Sequence, residues 1–213
     1  MFSPATRLDF ATIPKPAFGR AQQHVAQNSP HKSRALARYQ RAAKTAAELL
    51  PELPEPGEAI HCLMLGTFDL CQVITAVAKR LSLCRHLRIA TLCYSKRNIA
   101  ELCSLLDTQK GLPLTLLVSV FHREHNKSLH EWAVEELTEY PGVKIAAARS
   151  HCKVVTFDLG SNDGLVFEGS ANLRTNKNRE QLTAIRDQQL HDWHAAWIDE
   201  LVSKDGQEEK PKA

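Results

Sequence analysis

Short apolar runs alternate with longer amphipathic segments from about residue 58 onward. The apolar runs have the length and β-branched content of buried strands, and they span residues 59–65, 87–94, 114–121 and 143–158. The other segments have helical periodicity, and they span residues 70–81, 97–106, 129–140 and 188–202. Thr67 or Asp69 is expected to cap the first of these helices, and Ser95 the second. The repeated strand–helix order predicts an α/β fold with a mixed sheet flanked by helices.

The first 57 residues differ in character from the rest of the chain. Residues 1–30 are polar and contain four prolines, so they are predicted to be extended or flexible. Residues 31–50 are rich in Ala, Arg, Lys and Gln and are predicted to form a basic helix, which either lies on nucleic-acid phosphates or presents a solvated face. The predicted organisation is a basic N-terminal arm with a Pro-rich linker over 1–57, a main domain over 58–203 and a polar tail over 204–213.

Composition excludes some classes of protein. The 213 residues are 43% hydrophobic and 24% charged with a formal net charge of +3, which is ordinary for a globular protein. The six cysteines form no Cys-x-x-Cys pair, which favours a reducing cytoplasm over a disulfide scaffold. The N-terminal residues have no continuous apolar region, so neither a signal peptide nor a membrane span is predicted.

One stretch brings together side chains that suit phosphodiester chemistry. His151 and Lys153 fall in the strand predicted over 143–158, so their side chains are expected to share a face. The Gly-, Asn- and Asp-rich segment after that strand predicts a hairpin turn, which would bring Ser170 and Asn172 beside them. An imidazole can attack phosphorus, and lysine and asparagine can hold the non-bridging oxygens, where charge grows in the transition state. A carboxylate can orient the imidazole, and this chemistry requires no metal ligand set.

This pattern resembles the HKD motif of the phospholipase D superfamily. The residues that match it, in order, are His151, Lys153, Asp158, Gly169, Ser170 and Asn172. The segment between Asp158 and Gly169 is longer than is usual in that family. The resemblance implies a phospholipase D-like fold over the main domain and a covalent phosphohistidine on His151.

The resemblance also implies roles for the other matching residues. Lys153 and Asn172 would bind the phosphate, Ser170 would support it, and Asp158 would be mainly structural. Glu180 is similar to the downstream carboxylate that orients the histidine in that family. No cofactor is implied.

Further cations stand at predicted strand ends, where ligands bind in open α/β sheets. The candidate substrate-binding residues are Thr67, Lys96, Arg97, Arg123 and Arg174. The alternative to substrate binding is that Thr67 caps a helix and that each cation is ordinary surface charge. His122, His125 and His130 have no standard zinc spacing, so a metal site is not predicted.

Only one copy of the motif is present, whereas the resembled family builds its active site from two. The resemblance therefore implies a homodimer in which two His151 residues share one site. The leading hypothesis is a metal-independent, endonuclease-like phosphodiesterase that acts on DNA or RNA. The alternatives are a phospholipid hydrolase or transferase of the same superfamily, and a nucleic-acid-binding protein that does not turn over its ligand.

Overall fold

The computed structural model describes residues 37–41, 45–64, 68–174 and 178–208. Within these residues the chain forms one sheet and six helices. The strands are β1 (Ala37–Arg41), β2 (Ala59–Met64), β3 (His86–Thr91), β4 (Leu114–Ser119), β5 (Val143–Ala148), β6 (Val154–Gly160), β7 (Asp163–Gly169) and β8 (Glu180–Arg186). The helices are α1 (Ala46–Leu49), α2 (Leu70–Ala78), α3 (Lys96–Thr108), α4 (Val120–His125), α5 (Lys127–Thr138) and α6 (Gln188–Glu208).

The strands follow the order β1-β2-β8-β7-β6-β3-β4-β5 in a single mixed sheet. The β3–β4, β4–β5 and β1–β2 pairs are parallel, and the other four pairs are antiparallel. The predicted fold class, a mixed sheet flanked by helices, is confirmed. Asp69 and Ser95 cap α2 and α3 as predicted, each through a capping box with the residue three positions on.

The two faces of the sheet carry different layers of side chains. Leu87 and Ile89 of β3 join the larger core, to which α2, α3 and α5 contribute. Ala90 points to the opposite face and joins a smaller core beneath α6. The Arg88 guanidinium on that face makes two hydrogen bonds of 2.9 Å to the carboxylate of Asp199 on α6. None of the helices described above is long and apolar enough to cross a membrane.

The prediction of one strand over 143–158 is wrong. The chain forms β5 at one edge of the sheet, leaves the sheet over 149–153, and returns as β6 in its centre. His151 and Lys153 therefore lie in a loop and not on a strand. The β6–β7 hairpin is confirmed, and Ser161 and Asn162 turn the chain with φ angles of 51° and 63°.

The prediction of a helix over 31–50 is also wrong within the described residues. Ala37–Arg41 forms an edge strand parallel to β2, and only Ala46–Leu49 is helical, capped by Thr45. Leu49 and Leu50 are 0% and 1% exposed in the larger core. Helix propensity is a weak preference, and strand pairing and core burial override it here. The basic residues of the arm before Ala37 lie outside the described residues.

Candidate active site

Seven strands have one end on the same side of the sheet, and these ends form a row across it. The register places Met64 opposite Glu180, Val154 opposite both Ala90 and Glu168, and Leu182 opposite Gly169. The carboxyl ends of β2, β3, β4, β5 and β7 therefore share this edge with the amino ends of β6 and β8. We call it the catalytic edge, because the candidate catalytic residues of the sequence analysis, Asp158 excepted, lie along it.

His151 lies in the loop that crosses the catalytic edge. Residues 149–153 connect β5 to β6, and β4 and β3 lie between those two strands. Three strand spacings amount to about 14 Å, so the short connection has to run along the carboxyl ends of β4 and β3. His151 is exposed, and its imidazole makes no hydrogen bond within the described part of the chain.

Lys153 links this loop to the β7 end. Its ammonium group donates a hydrogen bond of 2.8 Å to the carbonyl oxygen of His151. Its own carbonyl oxygen accepts a hydrogen bond from the amide of Gly169 at 3.4 Å. Lys153 and Arg174 also act on the Cys93 thiol, whose pKa burial raises and these two cations lower. The two cations therefore lie near the same point, just beyond the end of β3.

Ser170 is fixed between β7 and the start of β8. Its hydroxyl donates to the carboxylate of Glu180 and accepts from the amide of Gln181 at 3.0 Å. Its amide donates to the carbonyl oxygen of Gln181 at 3.0 Å. Ser170 and Glu180 are thereby joined at the start of β8. The roles that the resemblance implies for them, support of the phosphate by Ser170 and orientation of the histidine by Glu180, stay predictions.

Asn172 is fixed against the end of β3. Its side-chain oxygen accepts a hydrogen bond of 3.2 Å from the amide of Leu92. The side-chain nitrogen of Asn172 has no partner among the described residues, which leaves two N–H groups for a ligand. Leu173, the next residue, donates its amide to the Thr91 hydroxyl at 3.3 Å. The turn after β7 is therefore held against β3 at two successive residues.

Asp158 does not join this group. It lies near the far end of β6, where its carboxylate accepts a hydrogen bond of 2.8 Å from the amide of Gly160 in the hairpin. Five residues of extended strand separate Asp158 from Lys153, or about 17 Å. Its hydrogen bond lies within the hairpin, as befits the mainly structural role that the resemblance implies for Asp158 among the candidate catalytic residues.

The candidate substrate-binding residues lie in different places and have different contacts. Thr67 lies outside the described residues. The Lys96 ammonium sits 4.8 Å from the ring centroid of Trp132, and Arg97 donates to Glu101 at 2.9 Å. Both cations are exposed and already have partners, so nothing in their contacts singles them out for substrate. Arg174 is exposed two residues after Asn172, and Arg123 lines a cleft.

That cleft is the main feature that the sequence did not reveal. It has a volume of about 480 Å³ and lies between α4, the end of β5 and α6. Arg123, Arg149 and Lys204 line it together with Glu124. Arg149 is two residues before His151, and this proximity is the signal that could have identified it. Lys204 belongs to a distant helix, and only the tertiary structure brings it here.

A cluster of buried aromatic and imidazole rings lies below the crossing loop. The hydroxyl of Tyr94 is 2.8 Å from Nδ1 of His130, and the ring of His122 meets that of Tyr94 edge-on at 4.4 Å. Burial, with smaller contributions from His130 and Arg174, lowers the pKa of His122 to about 4. Asn126 donates to Nδ1 of His122 at 3.3 Å, and Nε2 is buried without a partner in the described part of the chain. Nowhere in the described part of the chain do three or more His, Cys, Asp or Glu side chains form a group that could hold a metal ion.

Comparison with known proteins gives likenesses among solved structures. No protein-family model and no curated protein matches the chain. One of the similar structures is described as a member of the phospholipase D family. Nuc from Salmonella typhimurium, titled as such a member, has a TM-score of 0.48 and 13% identity over 68% of this chain and 94% of its own.

Two further structures are similar in parts of their length. Phosphatidylserine synthase from Haemophilus influenzae has a TM-score of 0.45 and 14% identity, over 70% of this chain and 40% of its own. Polyphosphate kinase from Porphyromonas gingivalis has a TM-score of 0.48 and 13% identity, over 73% of this chain and 27% of its own. A synthase and a kinase differ in activity, so these likenesses specify no function.

Substitution of Gly169 by alanine should displace the motif serine. A Cβ at this position would lie 2.2 Å from the carbonyl oxygen of Gln181, which belongs to backbone and cannot swing away. We expect the free energy of unfolding to fall by about 1–3 kcal/mol, as for other overpacked sites. Urea denaturation would measure it. Gly111→Ala is the comparison for backbone strain alone, because Gly111 has a φ of 81° and no atom within 4 Å of a Cβ, whereas Gly169 has no positive φ. Unchanged stability of Gly169→Ala would contradict the close contact.

The buried His122 should make the fold sensitive to acid. Between pH 6.5 and 4 the unfolded chain takes up a proton on this residue and the folded chain does not, so stability falls as the pH falls. His122→Gln should reduce that loss by up to about 3 kcal/mol. Urea denaturation across this pH range would test it, with the exposed His125→Gln as the control. Parallel pH dependences for wild type and His122→Gln would contradict the assignment.

Proposed function

We propose that the chain is a metal-independent phosphodiesterase that cleaves nucleic acid through a phosphohistidine intermediate. One observation carries the proposal. An exposed imidazole without a hydrogen-bond partner in the described residues, that of His151, lies on the same edge as the free amide N–H groups of Asn172 and the ammonium group of Lys153. A nucleophile and two donors for a phosphate are thereby near one another.

The first chemical step uses these three groups. A neutral imidazole nitrogen of His151 attacks phosphorus, an N–P bond forms, and the P–O bond to the leaving oxygen breaks. Lys153 uses one N–H on the carbonyl of His151 and has two more for the non-bridging oxygens. Together with the Asn172 amide it stabilises the charge that these oxygens gain in the transition state.

The first step also needs a proton donor for the leaving oxygen. The chain carries one copy of the motif, and we propose that a second copy of the chain supplies this group as its own His151. That imidazole gives its proton to the leaving oxygen and then takes one from water. Water attacks phosphorus, the N–P bond breaks, and the first imidazole is regenerated.

Charge favours nucleic acid over a phospholipid as the substrate. Arg149, Lys153 and Arg174 lie on or beside the catalytic edge, and the Glu180 carboxylate there accepts the Ser170 hydroxyl. A repeated row of phosphates gains from several cations at once, whereas a single head group presents one phosphodiester.

The direct test is cleavage of single- and double-stranded DNA, RNA and a chromogenic phosphodiester in excess EDTA. We expect His151-dependent turnover of at least one of these, with a loss of about 10³-fold or more in His151→Ala. His61→Ala is the matched control, because His61 is an exposed histidine on β2 away from the loop. Acid-labile radiolabel retained on wild type, and absent from His151→Ala, would mark the covalent intermediate.

Each alternative function gives a different result in the same experiment. Loss of cleavage in EDTA, or turnover that survives His151→Ala, would contradict the histidine mechanism. Binding of nucleic acid without turnover of any diester would leave a binding protein. Hydrolysis of phospholipid vesicles in preference to nucleic acid would favour the lipid enzyme.

The shared site makes a separate prediction about mixtures of chains. If one active site needs two His151 residues, dimers that contain one His151→Ala chain have no complete site. After subunit exchange at equal concentrations, activity per wild-type chain should fall to about half, because about half of the wild-type chains are then in mixed dimers. His61→Ala is again the control partner. Activity per wild-type chain that stays constant would contradict the shared site.

A further inference from the structure

The short helix α4 presents two rings to solvent beside the cationic cleft. Phe121 is 56% exposed, and its ring centroid lies 4.1 Å from that of His125 with 31° between the planes. The Nδ1 of His125 lies 2.8 Å from the carbonyl oxygen of Phe121, and as an N–H it donates to that oxygen. This bond holds the imidazole against the phenyl ring. We call Phe121 and His125 the ring pair.

The cleft next to the ring pair carries excess positive charge. Arg123 and Glu124 reach it from α4 itself, Arg149 from the loop that holds His151, and Lys204 from α6. Three cations thus face one carboxylate. Lys204 contacts Glu200 at 2.5 Å, but an exposed pair of this kind is worth little and exchanges readily for a phosphate. Arg149 has no ion pair within the described residues.

The cleft also lies close to His151 along the chain, through Arg149. The Cα atoms of Arg149 and His151 are at most about 7 Å apart, since an extended chain spans about 3.3–3.6 Å per residue. A strand whose phosphate lies at His151 can therefore continue past Arg149 toward Arg123 and Lys204. The ring pair then stands at the side of its path, on the same six-residue helix as Arg123.

We propose that the ring pair is a stacking platform for an unpaired base and that the substrate is therefore a single-stranded nucleic acid. Cations along a groove hold the backbone, and a ring beside them accepts the face of a base. Bases inside a duplex are covered by their neighbours and offer no face to a side chain. This inference rests on the proposed function and names the substrate class of the same site.

The test compares strands that differ only in their bases. Binding of a labelled oligothymidylate, an abasic strand of equal length and a duplex is measured by fluorescence anisotropy, with full-length protein carrying His151→Ala. Adding Phe121→Ala should weaken oligothymidylate binding about 5- to 100-fold and leave the abasic strand unaffected. Leu83→Ala, which truncates another exposed apolar side chain, is the control.

Charge substitutions test the cleft separately. Adding Arg149→Gln should weaken binding of both the oligothymidylate and the abasic strand, and should reduce the slope of log affinity against log salt by about 0.7. Lys144→Gln makes the same charge change at the opposite end of β5 and should leave the affinity and the slope unaltered. Thermal unfolding of each variant identifies any that fails to fold.

Several outcomes would overturn the inference. They are an equal effect of Phe121→Ala on the oligothymidylate and the abasic strand, tighter binding of duplex than of single strand, and an effect of Phe121→Ala on binding to anionic phospholipid vesicles alone. Turnover of the chromogenic phosphodiester by wild type in EDTA tests the proposed function independently. If the protein binds single strands through Phe121 but hydrolyses no substrate, the proposed function is wrong and the stacking platform still stands.

Discussion

The antiparallel insertion of β6 between β3 and β7 is the constraint on which the site depends. It forces the chain to leave β5 at one edge and cross two strands before it pairs again. Val155 and Phe157 of β6 are both 0% exposed in the larger core. A slip of one residue would turn them to the other face and move Lys153 away from Gly169, so core burial fixes the position of the site.

The edge combines a fixed part with an exposed part. Ser170 and Asn172 each use polar atoms to bind neighbouring strands, through Gln181 and Leu92. In the proposed mechanism the Asn172 amide, held in this way, would need little rearrangement when charge develops on a phosphate, which is the condition for electrostatic stabilisation. His151 is different, because its main chain is anchored by Lys153 while its imidazole stays in solvent. In the proposed mechanism His151 has to reach phosphorus, and an imidazole bonded to the protein through both nitrogens could not.

Features that depend on local sequence patterns were predicted correctly from the sequence. Features that depend on the pairing of strands distant in sequence were not. The caps Asp69 and Ser95, the hairpin at Ser161 and Asn162, and the fold class follow from short-range rules. The run over 143–158 appeared to be one strand because its polar break is only five residues long, and nothing local indicates that β3 and β4 lie between its two halves. Lys153 and Gly169 of the motif meet through a main-chain hydrogen bond, whereas Asp158 bonds to Gly160 in the hairpin at the far end of β6. The position of Lys204 in the cleft could not be predicted from the sequence, because it results from the packing of α6 across the sheet.

The exposure of His151 bears on why a second chain is needed in the proposed mechanism. In a single chain the histidine and the phosphate beside it would be in water, where a charge pair at 4 Å is worth only about 1 kcal/mol. A second copy placed over the catalytic edge would exclude that water and strengthen the contacts of Lys153 and Asn172 with the phosphate several-fold. The same surface of the second copy would then supply both the His151 that acts as proton donor and the cover that excludes water. The ring pair and the cleft lie outward from His151 along α4 and β5, so a strand could enter from that side while the partner covers the histidine.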